Sequence, residues 1–560
     1  MPTPRPLKLS PVGLLPSAHV DPWPRLQLPP AAEWPVFRLD GRFEYPSTLN
    51  AAARLLDDAV RDGHGAHPAL VTMNASGQWS ETSYAELLRE VDAIAHVLTK
   101  DLDLVPGNRV MLRGFNGRWM AAAWLATVKA GLVAVTTMPM LRAKELRVIA
   151  DRAQCQAALC DARLEDELRE AITAPSSVGA LVTWGNALGE APYGLEARMA
   201  AHTSPFAAFA TSRDDVCLIA FTSGTTGHPK GCMQFHRDVM AMCDSFSAQV
   251  LQTQSADRCI GTPPLAFTFG LGGLLCFPMA ARGAAVMIEK ATPESLLDAI
   301  DAAGATVSFT APTFYRQMAI ALSRDRARWS LKTLRTSVSA GEALPDATRN
   351  FWRQETNLEM LDGIGATEMI HIFIAAADRD VRAGAIGRAV PGYDIAILDE
   401  ELKSAPIGMV GRLAVRGPTG CRYLNDPRQR DYVQGGWNIT GDAAMMDADG
   451  YVYFQARTDD LILSSGYNIG APEVEAAVLQ HDAVAECAVV GVKDADRGQA
   501  VKAFVVLKVG IEASDTLARE LQEFVKATIA PYKYPRIVEF VVALPKTDTG
   551  KLQRFRLKEM

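Results

Sequence analysis

The sequence predicts an α/β protein with a large N-terminal domain of mixed sheets and helices and a small α+β C-terminal domain. From about residue 50 onward, segments with helical spacing of apolar residues alternate with short β-branched runs, which is typical of a largely parallel sheet. After about Gly450 a compact unit of roughly 100 residues follows, which is the size of a small domain. We expect domains at 1–458 and 459–560, with the linker near Arg457 to Asp460, where polar residues separate two hydrophobic units.

Individual elements follow from the same patterns. The residues up to about 45 are proline-rich and are expected to wrap a surface. Apolar spacing predicts a helix over 82–102, and short apolar runs predict strands over 109–115 and 285–290. The apolar stretch that begins at Trp119 contains Lys129, Gly131 and many β-branched residues, so it predicts a buried helix followed by a buried strand rather than a membrane span.

The C-terminal unit has a simpler pattern. A helix is predicted to start near Pro472, and AECAVVGVKD and AVKAFVVLKV are predicted to be two strands. The segment DTLARELQEFVKATIA is predicted to be a helix. This mixture of two strands and two helices is the basis of the α+β prediction for the smaller domain.

Composition excludes several classes of protein. The chain has 560 residues, of which 48% are hydrophobic and 22% charged, as in ordinary soluble enzymes. The net charge is -7 and no Lys/Arg-rich run occurs, so we expect neither a nucleic acid nor a membrane as partner. The N-terminus lacks a continuous apolar stretch and does not read as a signal peptide. The 9 cysteines are scattered without a CxxC pair, which indicates reduced thiols in a cytoplasmic protein.

One glycine-rich segment, FTSGTTGHPKG over residues 221–231, has the composition of a phosphate-binding loop. It is not a Walker loop, because Pro229 replaces the required glycine and Gly231 follows Lys230 where Ser or Thr is needed. Glycines let backbone N–H groups turn toward an anion, and hydroxyls and a lysine add donors. By itself the segment could equally be a flexible loop without a ligand.

Further motifs decide between these alternatives. SAGEALP (339–345), DGIGATE (362–368), WNITGD (437–442), RTDDLILSSGYNIGAPEVE (457–475) and PKTDTGKLQR (545–554) follow the loop in that order. In this order the segments resemble the adenylate-forming superfamily of acyl- and aryl-CoA ligases, peptide-synthetase adenylation domains and luciferases. The resemblance covers residues from about 50 to 558.

The resemblance implies roles for individual residues. Thr367 would contact the α-phosphate of ATP, Glu368 would bind Mg²⁺, and Lys551 would be the catalytic lysine. Asp459 would be the pivot of a mobile C-terminal domain, and Gly466, with Tyr467 and Asn468 beside it, would approach the pantetheine of coenzyme A. The residues implied to bind ATP or AMP are Thr222, Ser223, Gly224, Thr225, Thr226, Gly227, Lys230, Gly341, Glu342, Asp362, Gly363, Ile364, Asp442 and Arg457.

The implied reaction has two steps. A carboxylate attacks ATP to give an acyl-adenylate and diphosphate, and the thiolate of coenzyme A then displaces AMP. The first step brings anions together, so it needs Mg²⁺ on Glu368, the N–H donors of the 222–231 loop and the ammonium of Lys551. Rotation about Asp459 would then exchange Lys551 for the Gly466 segment.

Two departures from the family pattern concern the ligand pockets. Phe267 stands where the family usually has a gating histidine, and Ile364 stands where many members have an adenine-stacking tyrosine. The segments DGIGATEMIHIF, FTFGLG and TAPTFYR resemble the benzoate and 2-aminobenzoate CoA ligase branch. The predicted aryl pocket consists of Phe267, Thr268, Ala340, Gly341, His371 and Ile372, with Phe269 and Tyr315 as further apolar walls.

Several alternatives remain open at this stage. Phe267 and Phe269 could be ordinary core aromatics, and His371 could contact an ortho substituent or be a structural histidine. A medium-chain fatty acid could be the substrate, or a carrier protein could be the acceptor in place of coenzyme A. We expect no fused carrier domain, because the sequence ends at Met560 just after the lysine motif. A catalytically silent nucleotide-binding protein is disfavoured by the motif residues that are retained, and the protein could be a monomer or a homodimer.

Overall fold

We describe the fold from a computed structural model of the chain. The structure describes residues 13–560 apart from 74–76, 174, 186–193, 223–228, 378–379, 458–461, 465–466, 495–496 and 547–551. Within these residues, every helix is too short or too polar to cross a lipid bilayer. All nine cysteines are free thiols, and eight of them are buried.

The strands in the described part of the chain belong to four sheets. In chain order they are β1 Pro68–Met73, β2 Trp79–Ser83, β3 Arg109–Arg113, β4 Val133–Thr137, β5 Ala157–Asp161, β6 Ala180–Trp184, β7 Val216–Thr222, β8 Lys230–Phe235, β9 Arg258–Gly261, β10 Ala284–Met287, β11 Val307–Thr310, β12 Thr336–Ala340, β13 Met360–Gly365, β14 Ile372–Ala376, β15 Arg388–Ala389, β16 Asp394–Leu398, β17 Gly411–Arg416, β18 Val433–Gln434, β19 Trp437–Met446, β20 Val452–Arg457, β21 Ile462–Ser464, β22 Tyr467–Ile469, β23 Val484–Asp494, β24 Gly498–Leu507 and β25 Ile537–Phe540.

The α-helices connect and cover these strands. In chain order they are α1 Trp23–Leu26, α2 Tyr84–His96, α3 Arg118–Lys129, α4 Ala143–Ala153, α5 Glu165–Ala171, α6 Leu195–Met199, α7 His236–Met242, α8 Thr268–Leu271, α9 Phe277–Ala280, α10 Pro293–Ala303, α11 Pro312–Arg324, α12 Asp346–Thr356, α13 Gln429–Tyr432, α14 Ala471–Val478, α15 Asp515–Thr528 and α16 Arg554–Glu559. π-Helical turns extend α2 over Val97–Asp101 and α7 over Cys243–Leu251.

Two large sheets form the centre of the N-terminal part. Sheet A has the strand order β15-β14-β13-β12-β11-β9-β10-β1-β2, and its run from β13 to β1 is parallel. Sheet B has the order β6-β5-β3-β4-β7-β8 and is parallel except for the final pair, β7 and β8. The largest apolar cluster joins side chains of both sheets with those of α2 and α3. The predicted α/β architecture with largely parallel sheets is therefore confirmed.

Two smaller sheets are mainly antiparallel. Sheet C contains β16, β17, β19, β18 and β20, and sheet D contains β22, β21, β24, β23 and β25. Sheet D packs with α14 and α15 around its own apolar cluster, which includes Ile462, Val489 and Leu521. The C-terminal part is thus a small α+β unit, and the strands and helices predicted there are present.

The proline-rich N-terminal segment does wrap the surface, from residue 13 onward. The Leu15 amide donates to Asp214 at 3.0 Å. Further along, the Val36 amide donates to the Gly436 carbonyl at 2.8 Å. The segment therefore contacts residues next to both sheet B and sheet C and helps to hold these parts together.

Candidate active site

Two of the predicted motifs, SAGEALP and DGIGATE, begin in neighbouring strands at one edge of sheet A. Strands β9, β11, β12 and β13 are parallel and end at Gly261, Thr310, Ala340 and Gly365. Their carboxyl ends therefore lie side by side, at the position where open α/β sheets bind ligands. The Thr262 and Thr310 hydroxyls, at the ends of β9 and β11, are hydrogen-bonded at 2.6 Å.

Strand β8 connects the phosphate-loop segment to the rest of this site. It pairs with β7 so that Lys230 lies opposite Thr222. On its other side, the Met233 amide donates to the Arg422 carbonyl and the Leu424 amide to the Gly231 carbonyl, both at 2.8 Å. These backbone bonds place Tyr423 next to Lys230. The Lys230 ammonium donates to the Tyr423 hydroxyl at 2.7 Å.

Glu368 lies in a 3-10 turn, Thr367–Met369, and is 7% exposed. The Tyr423 hydroxyl donates to Oε1 of Glu368 at 2.5 Å, and the Lys230 ammonium lies 3.5 Å from the same oxygen. Burial and the negative charge of Glu368 raise the pKa of Tyr423 well above its ordinary value. The tyrosine hydroxyl therefore stays protonated and serves as a hydrogen-bond donor.

This arrangement fits a magnesium–nucleotide site. Both contacts are made by Oε1, and Oε2 has no hydrogen bond or ion pair with any described residue. Mg²⁺ usually binds one or two carboxylates together with water and substrate phosphates rather than a full set of protein ligands. No cluster of three or more His, Cys, Asp or Glu side chains that could form a metal cage exists in the described part of the chain.

The turn that carries Glu368 is held by a side chain of β8 and ends in a strained residue. The amide of the fully buried Gln234 side chain donates to the Thr367 carbonyl at 2.9 Å. Ile370, which ends the turn, has φ 65° and ψ -34°. A positive φ is rare for a β-branched residue and indicates local strain. The turn is followed by β14, which begins at Ile372. Glu368 and His371 are three positions apart, but Glu368 contacts polar side chains and His371 lies among aromatic rings.

Asp442 and Arg457 form a second polar group of the site. They are paired across β19 and β20, and the Arg457 guanidinium donates to Asp442 at 2.8 Å and to the Thr440 carbonyl at 3.0 Å. Burial raises the pKa of Asp442, Arg457 opposes this effect, and the charge of Glu368 adds to it. Asp442 therefore lies within electrostatic reach of Glu368.

Comparison with known proteins assigns the chain to a family. The AMP-binding enzyme family matches residues 57–422. A second family, the AMP-binding enzyme C-terminal domain, matches residues 473–551. The chain belongs to the AMP-binding enzyme family. Benzoate–CoA ligase of Thauera aromatica is 33% identical over 517 residues, which cover 92% of this chain and 96% of that enzyme.

Solved structures agree with this assignment. The crystal structure of the anthranilate CoA ligase AuaEII in complex with anthranoyl-AMP has a TM-score of 0.85 and 31% identity, covering 92% of this chain and 98% of that one. A benzoate CoA ligase from Burkholderia xenovorans LB400 has a TM-score of 0.80 and 30% identity, covering 91% and 99% of the two chains. The adenylate-forming fold, with a large N-terminal and a small C-terminal domain, is shared with both.

The other predicted nucleotide residues of this adenylate-forming protein surround the same edge of sheet A. Gly341 has φ 92°, a left-handed conformation, and the Glu342 carboxylate accepts a hydrogen bond from the Thr313 hydroxyl at 2.7 Å. Asp362 lies buried within β13, where Gly363 and Ile364 follow it. Burial raises the pKa of Asp362 to about 7, and the opposing effect of Arg349 is smaller. This carboxyl group therefore titrates near neutral pH.

His371 lies among aromatic rings. It is 3% exposed, and its ring centroid lies 4.5 Å from that of Phe277, 5.5 Å from that of Phe246 and 5.6 Å from that of Phe269. Burial lowers the pKa of His371 to about 3, so the imidazole is neutral at physiological pH. Nε2 is 3.4 Å from the Phe269 carbonyl, and the buried Nδ1 has no hydrogen-bond partner among the described residues.

The remaining aryl-pocket residues differ in their surroundings. Phe269 is partly buried, packs against Phe309 at 5.9 Å between ring centroids and lies at the edge of the main core. Phe267 precedes α8, is only partly buried and belongs to none of the apolar clusters of the described residues. Phe269 is partly buried as well, so the two rings differ only in that Phe267 lies outside these clusters.

Three further residues of the predicted aryl pocket are buried, and one of them packs on β13. Ala340 and Thr268 are buried, at 5% and 6% exposure. The Ile372 side chain packs directly on β13, because a Cβ atom at Gly363 would lie 2.8 Å from Ile372 Cδ1. The strand that carries predicted nucleotide residues thus also supports a predicted aryl-pocket residue.

The prediction for Tyr315 is wrong. Its ring packs against Trp352 at 4.9 Å, and its hydroxyl donates to the Ser308 carbonyl at 2.9 Å. Both aromatic residues belong to a different apolar cluster from the one that surrounds His371. Tyr315 lies on the inner face of α11 and is not a wall of the aryl pocket.

Some predicted site residues lie outside the described part of the chain. These are Ser223, Gly224, Thr225, Thr226, Gly227, Asp459, Gly466 and Lys551. The predicted domain boundary at 458/459 also falls there. Thr222 ends β7, and its buried hydroxyl has no hydrogen-bond partner among the described residues. Tyr467 begins β22.

Sequence reasoning missed Tyr423, Gln234 and Thr313. Strand periodicity is a signal for Gln234, since alternate residues from Lys230 to Gln234 lie on the same face of β8. Tyr423 carried no comparable signal. Its position depends on the pairing of the 421–424 segment with β8, which is distant in sequence.

Proposed function

We propose that the protein is an ATP-dependent aryl-CoA ligase. It would convert an aromatic carboxylate, with 2-aminobenzoate or benzoate favoured, ATP and coenzyme A to aryl-CoA, AMP and diphosphate through an aryl-adenylate. The observation that carries this proposal is the neutral, ring-enclosed His371 three positions after Glu368. An uncharged, aromatic environment this close in sequence to the residue proposed to bind Mg²⁺ supports an acyl site that accepts a flat ring.

The chemistry of the acyl site favours a flat ring. Phenylalanine rings and a neutral imidazole offer offset and edge contacts that suit an aromatic substrate. Because His371 is neutral, it cannot balance the substrate carboxylate, which is then free to face the phosphate-binding groups. Nδ1 of His371 is a buried polar atom without a described partner, so an ortho amino group is a suitable partner for it. The anthranilate and benzoate ligases similar to this chain support the same substrate class.

In the first step, a carboxylate oxygen of the substrate attacks the α-phosphorus of ATP. An O–P bond forms, the bond to the leaving diphosphate breaks, and the aryl-adenylate results. Lys230 and Lys551 would stabilise the negative charge that accumulates on the phosphates, and Thr367 would contact the α-phosphate. Glu368 would hold Mg²⁺, which supplies charge neutralisation at the phosphate oxygens. Asp442 and Arg457 would hold the ribose, so that the reacting atoms are aligned.

In the second step, the thiolate of coenzyme A attacks the acyl carbon. A C–S bond forms, and the bond to the AMP oxygen breaks, with the electron pair leaving on AMP. Lys551 would have to move away from the site to admit the pantetheine. Rotation of domain 459–560 relative to domain 1–458, with Asp459 as pivot, would replace Lys551 by Gly466 and Tyr467.

The proposal is tested by measuring kcat/KM for a panel of acids. Thioester formation would be followed with ATP, Mg²⁺ and coenzyme A for 2-aminobenzoate, benzoate, hydroxybenzoates, phenylacetate and octanoate, and each product would be identified by mass. The proposal predicts that 2-aminobenzoate or benzoate has the highest value. A preference for octanoate would contradict the aryl assignment, and diphosphate release without any thioester would indicate a carrier protein as the acceptor.

The variant His371→Phe adds a second readout. Phenylalanine keeps the aromatic packing but removes both ring nitrogens. If Nδ1 contacts an ortho amino group, the preference for 2-aminobenzoate over benzoate should fall, with activity on benzoate retained. An unchanged preference would show that His371 does not read the ring substituent.

A further inference from the structure

We infer that Tyr423 is a positioning residue that aims the Glu368 carboxylate toward the metal–nucleotide complex, an inference that rests on the proposed function. The Tyr423 hydroxyl is 2.5 Å from Oε1 of Glu368 and 2.7 Å from the Lys230 ammonium. The three groups lie between β8, the Thr367–Met369 turn and the 421–424 segment, where Tyr423 and Glu368 are buried and Lys230 is partly exposed. None of the motifs described above includes Tyr423.

The direction of these hydrogen bonds follows from the chemistry of the groups. An ammonium can only donate hydrogen bonds, so the tyrosine oxygen must accept the bond from Lys230. The single hydroxyl proton of Tyr423 is then available for Glu368, whose ionised carboxylate can only accept. The hydrogen bonds thus run in one direction, from Lys230 through Tyr423 to Oε1 of Glu368. Oε2 is left without a hydrogen bond or ion pair to a described residue.

Tyr423 is itself held rigidly, which a positioning residue requires. Its side chain is fully buried, and its backbone amide donates to Oε1 of Gln429 at 2.9 Å. Its ring makes an edge contact with Tyr432 at 5.7 Å between centroids, and the residue forms a backbone bridge with Cys232. The hydroxyl therefore cannot follow Glu368 if the carboxylate turns, and it restricts the carboxylate to one orientation.

Loss of the hydroxyl should affect the metal specifically. In Tyr423→Phe, the ring and its contact with Lys230, whose ammonium lies 4.7 Å from the ring centroid, are retained. The Glu368 carboxylate loses its fixed donor. The Lys230 ammonium, which lies 3.5 Å from Oε1 in the wild type, no longer donates to a tyrosine hydroxyl, so it can move closer to Glu368 and compete with the metal. Loss of a hydrogen-bond partner of a metal-binding side chain typically lowers metal affinity by about 10- to 100-fold.

The test measures metal binding rather than turnover. Mn²⁺ would be titrated into the full-length protein in the presence of α,β-methylene-ATP, with free Mn²⁺ quantified by electron paramagnetic resonance. The matched control is Tyr432→Phe, since Tyr432 is the neighbouring buried tyrosine and its hydroxyl has no hydrogen-bond partner among the described residues. We expect Mn²⁺ to bind about 10- to 100-fold more weakly to Tyr423→Phe, and within about twofold of wild type to Tyr432→Phe.

A double-mutant cycle separates positioning from general loosening of the site. If Tyr423 acts through Glu368, adding Tyr423→Phe to Glu368→Gln should cause no further loss of Mn²⁺ affinity. Three results would overturn the inference. The double variant could lose Mn²⁺ affinity by a further factor equal to that of Tyr423→Phe alone, Tyr432→Phe could lose as much affinity as Tyr423→Phe, or Tyr423→Phe could bind Mn²⁺ as tightly as wild type. The binding assay contains no acid and no coenzyme A. Failure of the acid panel would therefore count against the proposed function alone, and failure of this titration against the role of Tyr423.

Discussion

Replacing Asp362 by asparagine should make the protein more stable, and by an amount that grows with pH. Asp362 is 7% exposed in β13, and burial raises its pKa from 3.8 to about 7. Between these two values the folded protein holds a proton on Asp362 that the unfolded chain has released. Stability therefore falls as the pH rises through this range, because the folded state binds more protons than the unfolded state.

The size of the effect follows from the shift. At about 1.4 kcal/mol per pKa unit, the buried carboxyl group costs about 2 kcal/mol at about pH 5 and about 4 kcal/mol at about pH 8.5. Asparagine has nearly the same shape and does not ionise. The stability gained by Asp362→Asn should thus be larger at the higher pH by roughly 2 to 3 kcal/mol.

The assay measures the free energy of unfolding by urea for wild type and Asp362→Asn at both pH values. The difference in this free energy between the two proteins is then compared across pH, so that the titration of other groups cancels. A suitable control is Asp449→Asn, which removes the same charge from a side chain that is 67% exposed. The control should show no such pH dependence. A stability difference between Asp362→Asn and wild type that stays constant from about pH 5 to about pH 8.5 would refute the reasoning.

Three further predictions concern the reaction. Asp442→Asn should raise the KM for ATP by about 10- to 100-fold, because a charged hydrogen-bond acceptor that contributes about 1.5 to 3 kcal/mol is lost. An unchanged KM would show that Asp442 does not bind the ribose. Burial lowers the pKa of His371 to about 3, so this side chain stays neutral between about pH 5.5 and 9. Over that range, the pH profiles of KM for the acid should have the same shape in wild type and in His371→Phe. Lys551→Ala should slow aryl-adenylate formation by at least about 100-fold but leave thioester formation from supplied aryl-adenylate nearly intact, and equal losses in both steps would contradict the division of labour.

The sequence predicted the elements of the site better than the contacts between them. The largely parallel sheets and the strands and helices of the C-terminal unit follow from local patterns, and the choice of Asp442 and Arg457 as nucleotide residues follows from the family resemblance. These features depend on residues that are close in sequence or on strands that end at the same edge. Local patterning is sufficient for such features.

Contacts between distant segments were not predictable in the same way. Tyr423 meets Lys230 across 193 positions and Glu368 across 55 positions, and only the packing of the 421–424 segment on β8 brings them together. Tyr315 shows the opposite error. The resemblance of the segment TAPTFYR identified an apolar residue but not which apolar cluster it contacts, and the cluster is the one that contains Trp352.

The central claim is that an aromatic carboxylate is activated as its adenylate before coenzyme A reacts. It is tested most directly by a single-turnover experiment with 2-aminobenzoate or benzoate, ATP and Mg²⁺ in the absence of coenzyme A, followed by rapid quenching and mass analysis. The account predicts aryl-AMP and diphosphate in equal amounts, with conversion of the aryl-AMP to aryl-CoA and AMP once coenzyme A is added. Formation of ADP and phosphate, or of thioester without prior aryl-AMP, would contradict it.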